Sequence, residues 1–112
     1  MTSVKMLKTK HKLEFLCRPW RFDRELYEFQ VGTIAGLWRA TDTAYQIIAI
    51  VNNNKNNGHF EDVLEWFETS CKRDNKDLEF VEIWNGQFEK HLIEKRGFEP
   101  IENGVRKKFC KE

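Results

Sequence analysis

The feature that most constrains this chain is a change of period in its middle. Tyr45 to Val51, YQIIAIV, is β-branched and apolar, the mark of a strand. It is too continuous to leave one face in water, which predicts cover on both sides. The polar stretch NNNKNNGHF, Asn52 to Phe60, follows it. Beyond that stretch Phe60, Val63, Leu64, Phe67 and Cys71 fall at helical spacing and make one apolar stripe. Glu61, Asp62 and Glu65 stand near the positive end of that helix, and Lys72 and Arg73 near its negative end. A charged turn, Asp74 to Asp77, leads into Phe80-Val81-Glu82-Ile83-Trp84, strand-like by residue type. Alternation puts Leu78, Phe80, Glu82 and Trp84 on one face of it. A strand, helix and strand of this size predict a parallel pair joined by a right-handed crossover.

The flanks read as antiparallel. Lys10 to Cys17 is a candidate strand with Leu13 and Phe15 on one face, broken by Arg18-Pro19-Trp20 because proline removes a donor. Glu25 to Gln30 and Ile34 to Thr41 are further strands, with a turn at Val31-Gly32-Thr33 and a polar corner at Thr41-Asp42-Thr43. After the second long strand, Asn85 is a good N-cap for a helix that carries Phe88, Leu92 and Ile93 inward. Gly97 is its left-handed C-cap. Phe98 to Ile101 and Gly104 to Phe109 then close the chain as a hairpin.

At 112 residues the chain is long enough for one core and is read as a single domain, 1–112. Nine Phe and four Trp supply apolar surface that a disordered chain lacks. No apolar run approaches the ~18 residues of a membrane span, and MTSVKMLKTKHK lacks the apolar stretch of a secretory signal. Cys17, Cys71 and Cys110 are odd in number, far apart and without a CxxC pair. This argues against a disulfide framework or a zinc site and for free thiols in a cytoplasmic protein, with no metal expected. Net charge is +1, but residues 58–104 carry twelve acids against six bases, which speaks against a nucleic-acid-binding face. The basic residues near both ends are read as a solvated surface that offsets this acidic middle.

The Asn-rich stretch admits two readings. It is a plain surface turn, or it is a loop that binds an anion. A helix N-terminus offers unpaired N–H groups and a partial positive charge to phosphate. Gly58 permits close backbone approach, and Lys55 adds a mobile cation.

Tyr45 to Phe98 resembles the GNAT superfamily of N-acetyltransferases. That family has an apolar strand, then an Arg/Gln-x-x-Gly-x-Gly/Ala loop that grips the coenzyme A pyrophosphate, then a helix. Lys55-Asn56-Asn57-Gly58-His59-Phe60 occupies the loop's place, with Phe60 where the family has a small residue. The family's next strand ends in an Asn that starts a helix finishing in Gly-Phe. Here those are Asn85 and Gly97-Phe98. The resemblance implies an α+β fold, with a GNAT-like mixed, mostly antiparallel sheet, two C-terminal helices and a reduced N-terminal part. It implies acetyl transfer from acetyl-CoA, as cosubstrate, to an amine of a small molecule or protein. The pantetheine arm would pair with Ile50, Val51 and Asn52, and the pyrophosphate would meet the N–H groups of Asn56, Asn57, Gly58, His59 and Phe60. Asn85 would flank the pantetheine.

Glu82, on the strand facing the implied cleft, is the candidate base, since partial burial raises a carboxylate toward useful basicity. Ile93 stands where the family often has a tyrosine acid, and no helix is evident before Phe60 to shape an acceptor site. That site is therefore open, or completed by a second subunit in a homodimer. The same departures suit an alternative: a catalytically inactive GNAT-fold binding or interaction module, of a size and Asn/Lys content that fit a phage protein. His91 reads as surface, and Trp20 and Trp38 as packing beside Arg18, Arg21 and Arg39.

Overall fold

A computed structural model describes residues 2–4, 13–52, 58–82 and 85–110. Strands β1 (Thr2–Val4), β2 (Phe15–Trp20), β3 (Asp23–Val31), β4 (Ile34–Ala40) and β5 (Ala44–Asn52) come first. Helix α1 (His59–Asp74) leads to β6 (Asp77–Val81), then α2 (Gly86–Arg96), β7 (Glu99–Ile101) and β8 (Gly104–Lys107). Among the described residues these strands form one sheet in the order β1-β2-β3-β4-β5-β6-β8-β7. Every neighbouring pair is antiparallel except β5 and β6, which run parallel on either side of the α1 crossover. This is a mixed, mostly antiparallel α+β architecture, and it contains the parallel pair that the change of period predicts.

Both helices use one face of the sheet. Phe67 of α1 packs edge-on against Phe15, Phe29 and Trp38, with ring centroids 5.5–5.6 Å apart. Phe88 of α2 meets Phe60 of α1 at 5.3 Å and Phe80 of β6 at 5.7 Å. Val63, Leu64, Phe67 and Cys71 of the predicted stripe are buried, and Phe60 is half-buried. Edge-to-face aromatic contact adds about 0.5–1.5 kcal/mol per pair to the burial itself, so this seam holds helix to sheet. The ends of α2 form as their residues dictate. Asn85 Oδ1 accepts the N–H groups of Gln87 and Phe88, each at 3.1 Å, and Gly97 closes the helix at φ 79°.

Two expectations for the strands need correction. β5 is not covered on both faces. Its register with β4 sets Ala49 beside Leu37 and Val51 beside Ala35, and Val51 is 60% exposed. With α1 and α2 on the opposite side, among the described residues no helix lies over that row. Pro19 does not break its strand either, because β2 runs through it to Trp20. The register between β2 and β3 shifts between Pro19 and Trp20, a place where a missing donor costs little.

Candidate functional site

The site arises where β5 outruns its parallel partner. Their ladder runs from Ala44↔Asp77 to Ile47↔Phe80 and goes no further among the described residues. β5 continues to Asn52, held by β4 alone through Gly36↔Ile50, Ala35↔Val51 and Ile34↔Asn52. The register with β4 slips between Leu37 and Trp38, so Ile48 is an extra residue on β5. Such a bulge bends a strand and sharpens its twist. On the other side the chain turns away at Glu82, whose backbone is left-handed (φ 60°) and whose N–H donates to the carbonyl of Asn103 at 3.0 Å.

Between these diverging strands lies a cleft of about 620 Å³. Its described lining is Ile50, Val51 and Asn52 from β5, Phe60 from α1, and Asn85, Gln87, Phe88 and His91 at and beyond the start of α2. Five of the residues singled out in the sequence thus converge on one cavity: Ile50, Val51, Asn52, Phe60 and Asn85. Lys55, Asn56 and Asn57 lie outside the described residues.

Gly58 and His59 stand at the start of α1, outside the described cleft lining. Gly58 is the N-cap of α1 in the left-handed region (φ 76°, ψ 6°) and has no side chain with which to cap it. The field of the helix N-terminus is met from within by acidic groups. Glu61 pairs with Arg96 of α2 at 3.8 Å, and the fully buried Asp62 accepts the N–H of Leu13 at 3.3 Å. Phe60 is the apolar bridge between α1 and α2 and one wall of the cleft.

His59 has a defined structural partner. Its Nδ1 accepts the backbone N–H of Thr33 at 3.1 Å. The Thr33 hydroxyl donates to Asn52 Oδ1 at 3.0 Å and lies 3.2 Å from the same imidazole nitrogen. Gly32 makes this approach feasible, since a Cβ there would collide with the His59 ring and its φ is 58°.

Glu82 is not where the alternation puts it. The strand ends at Val81, and Glu82 lies past that end, exposed and absent from the described cleft lining. The ionisable side chain in that lining is His91, which the sequence assigns to the surface. It is half-buried, and its Nε2 accepts from Arg96 Nε at 3.4 Å. An arginine only donates, so in the neutral ring the proton sits on Nδ1. The signal for His91 was its spacing, three residues after Phe88 and four after Gln87, which puts all three near one face of α2.

Among the described residues no helix is long and apolar enough to cross a membrane. No protein-family model, curated protein or solved structure matches the chain.

Proposed function

We propose that the protein binds acyl-coenzyme A in this cleft and transfers its acyl group to an amine. One observation carries the reading. The parallel strands part beside the start of α1, and the cavity so formed is lined by residues that the GNAT resemblance assigns to the cofactor. Beyond Ile47 the edge of β5 that faced β6 is unclaimed by that strand, so an extended pantetheine arm can add to it as a strand would. Asn85 spends its oxygen on capping, which leaves its NH2 donors for a ligand carbonyl. Phe60, Phe88 and Ile50 give the apolar wall that such a chain needs.

In this reading the amine attacks the thioester carbonyl directly, and coenzyme A leaves as its thiolate. Holding both reactants in one cleft supplies most of the acceleration. Backbone donors at the end of β5 orient the thioester and stabilise the oxyanion. Glu82 stands outside the described lining, so the amine proton passes to water rather than to that carboxylate. Acceptor identity, a homodimer and a cytoplasmic location belong to the same proposal.

A second reading is favoured by specific observations. The lining among described residues holds no carboxylate, and Ile93 cannot supply a proton to the thiolate. The cleft then serves a binding module without turnover. Calorimetric titration with acetyl-CoA, followed by assay against a panel of amines, separates the two. Binding with turnover is expected. Binding without turnover favours the module, and no heat at millimolar ligand rules out both coenzyme A readings.

A further inference from the structure

We propose that Thr33 is a positioning residue that sets the spacing between the end of β5 and the start of α1, the two elements that flank the cleft. This inference rests on the acyl-CoA reading. Thr33 belongs to neither flank of the cleft; it sits in the two-residue turn between β3 and β4, within the pair Val31↔Ile34. Yet it bonds to both flanks. Its hydroxyl donates to Asn52 at the end of β5, and its backbone N–H donates to His59 at the start of α1. Asn52 and His59 are the residues between which the Asn-rich stretch leaves the sheet and enters the helix.

One residue thereby fixes the strand end, which in this reading takes the pantetheine, relative to the helix start, which takes the pyrophosphate. The geometry is built for that contact. Gly32 is obligatory both for the turn and for the His59 ring that lies against it. Since Thr33 N–H can only donate, Nδ1 of His59 must offer its lone pair. A hydroxyl that gives its proton to Asn52 Oδ1 also turns the Asn52 NH2 group away from Thr33. Asn52 also lines the cleft, so the Thr33 turn is tied to the cleft wall.

A ligand that spans both flanks should feel this clamp, and one that touches only the strand end should not. The test measures acetyl-CoA and acetyl-pantetheine affinities for the wild type, Thr33→Val and Thr33→Ser. Valine keeps the shape and the backbone N–H but removes the hydroxyl. The expected result is acetyl-CoA binding about tenfold weaker in Thr33→Val, the scale of one well-placed hydrogen bond, with acetyl-pantetheine unchanged. Thr33→Ser should restore the wild-type value. If Thr33→Val fails to fold, His59→Asn against His59→Leu carries the same comparison, since only asparagine offers an acceptor near the Nδ1 position. Equal affinity in wild type and Thr33→Val, or equal weakening of both ligands, overturns the inference while leaving the cofactor reading intact. A wild type that binds no acetyl-CoA overturns both.

Discussion

The two ends of the β5–β6 pair are built on opposite plans. At the end where both strands begin, polar groups are answered from several directions. Asp77 N–H donates to the carbonyl of Thr43 at 2.9 Å, and Lys76 Nζ reaches the carbonyls of Thr41 and Asp42 at 2.6 and 2.8 Å. Asp77 Oδ1 accepts the N–H groups of Phe109 and Cys110 and so ties the last described residues to the sheet. Tyr45 donates its hydroxyl to Asp74, which also pairs with Arg73 at 2.9 Å. Burial, with the Asp74 bond second, pushes the Tyr45 phenol up to about 12, while the Arg73 bond, with Tyr45 second, holds Asp74 down at about 2. At the opposite end the strands diverge, the ladder stops and a cleft opens. The contrast runs along one strand: its start is closed by polar contacts, and beyond Ile47 a cleft opens beside its end.

In the proposed acyl-CoA reading, substitutions at the two ends should separate stability from binding. The largest effect is expected at the closed end. Asp77→Ala leaves two backbone donors unpaired beside a nearly buried site, and should cost about 2–4 kcal/mol in urea unfolding while sparing acetyl-CoA affinity. Gly58→Asp should do the reverse. It adds bulk and a repelling charge at the start of α1, so acetyl-CoA affinity should fall about tenfold or more, with a melting temperature lowered only slightly because aspartate tolerates left-handed backbone. An equal loss of stability in the two variants would collapse the distinction.

The smallest effect is electrostatic. Asp74 titrates lower in the folded chain than its ordinary 3.8, so its carboxylate stabilises the fold above about pH 4, and that contribution is lost as pH falls through about 2. Asp74→Asn should flatten this part of the acid unfolding profile. Asp74 is half-buried but its Arg73 partner is exposed, so solvent screening keeps the effect modest. An unaltered acid profile would show that the Tyr45–Asp74–Arg73 group does not link to stability.

Much of this plan was legible in the residues. The period change at the Asn-rich stretch gave the parallel pair and α1, and Asn85 and Gly97 gave α2 its ends, because capping is local chemistry. Ile50, Val51, Asn52, Phe60 and Asn85 were grouped by the GNAT resemblance alone, and all five line one cavity. What failed depended on tertiary context. β5 reads as buried on both faces, but both helices chose one side, and no local pattern says which. Pro19 reads as a breaker because a register shift is invisible without the partner strand. Glu82 was misplaced because the strand ends one residue before it, at a left-handed turn tied to Asn103. The Thr33 bridge links residues far apart in sequence, and only the fold reveals it.

The division between the two ends is tested most directly by titrating the isotopically labelled protein with acetyl-CoA and following the backbone amide resonances. The account predicts that Ile50, Val51, Asn52, Gly58, His59, Phe60 and the first turns of α2 move together along one saturable curve. Thr43, Ala44, Asn75, Lys76 and Asp77 should stay still. Resonances unmoved at millimolar ligand, or a saturable response centred on Asp74 to Asp77, would contradict it.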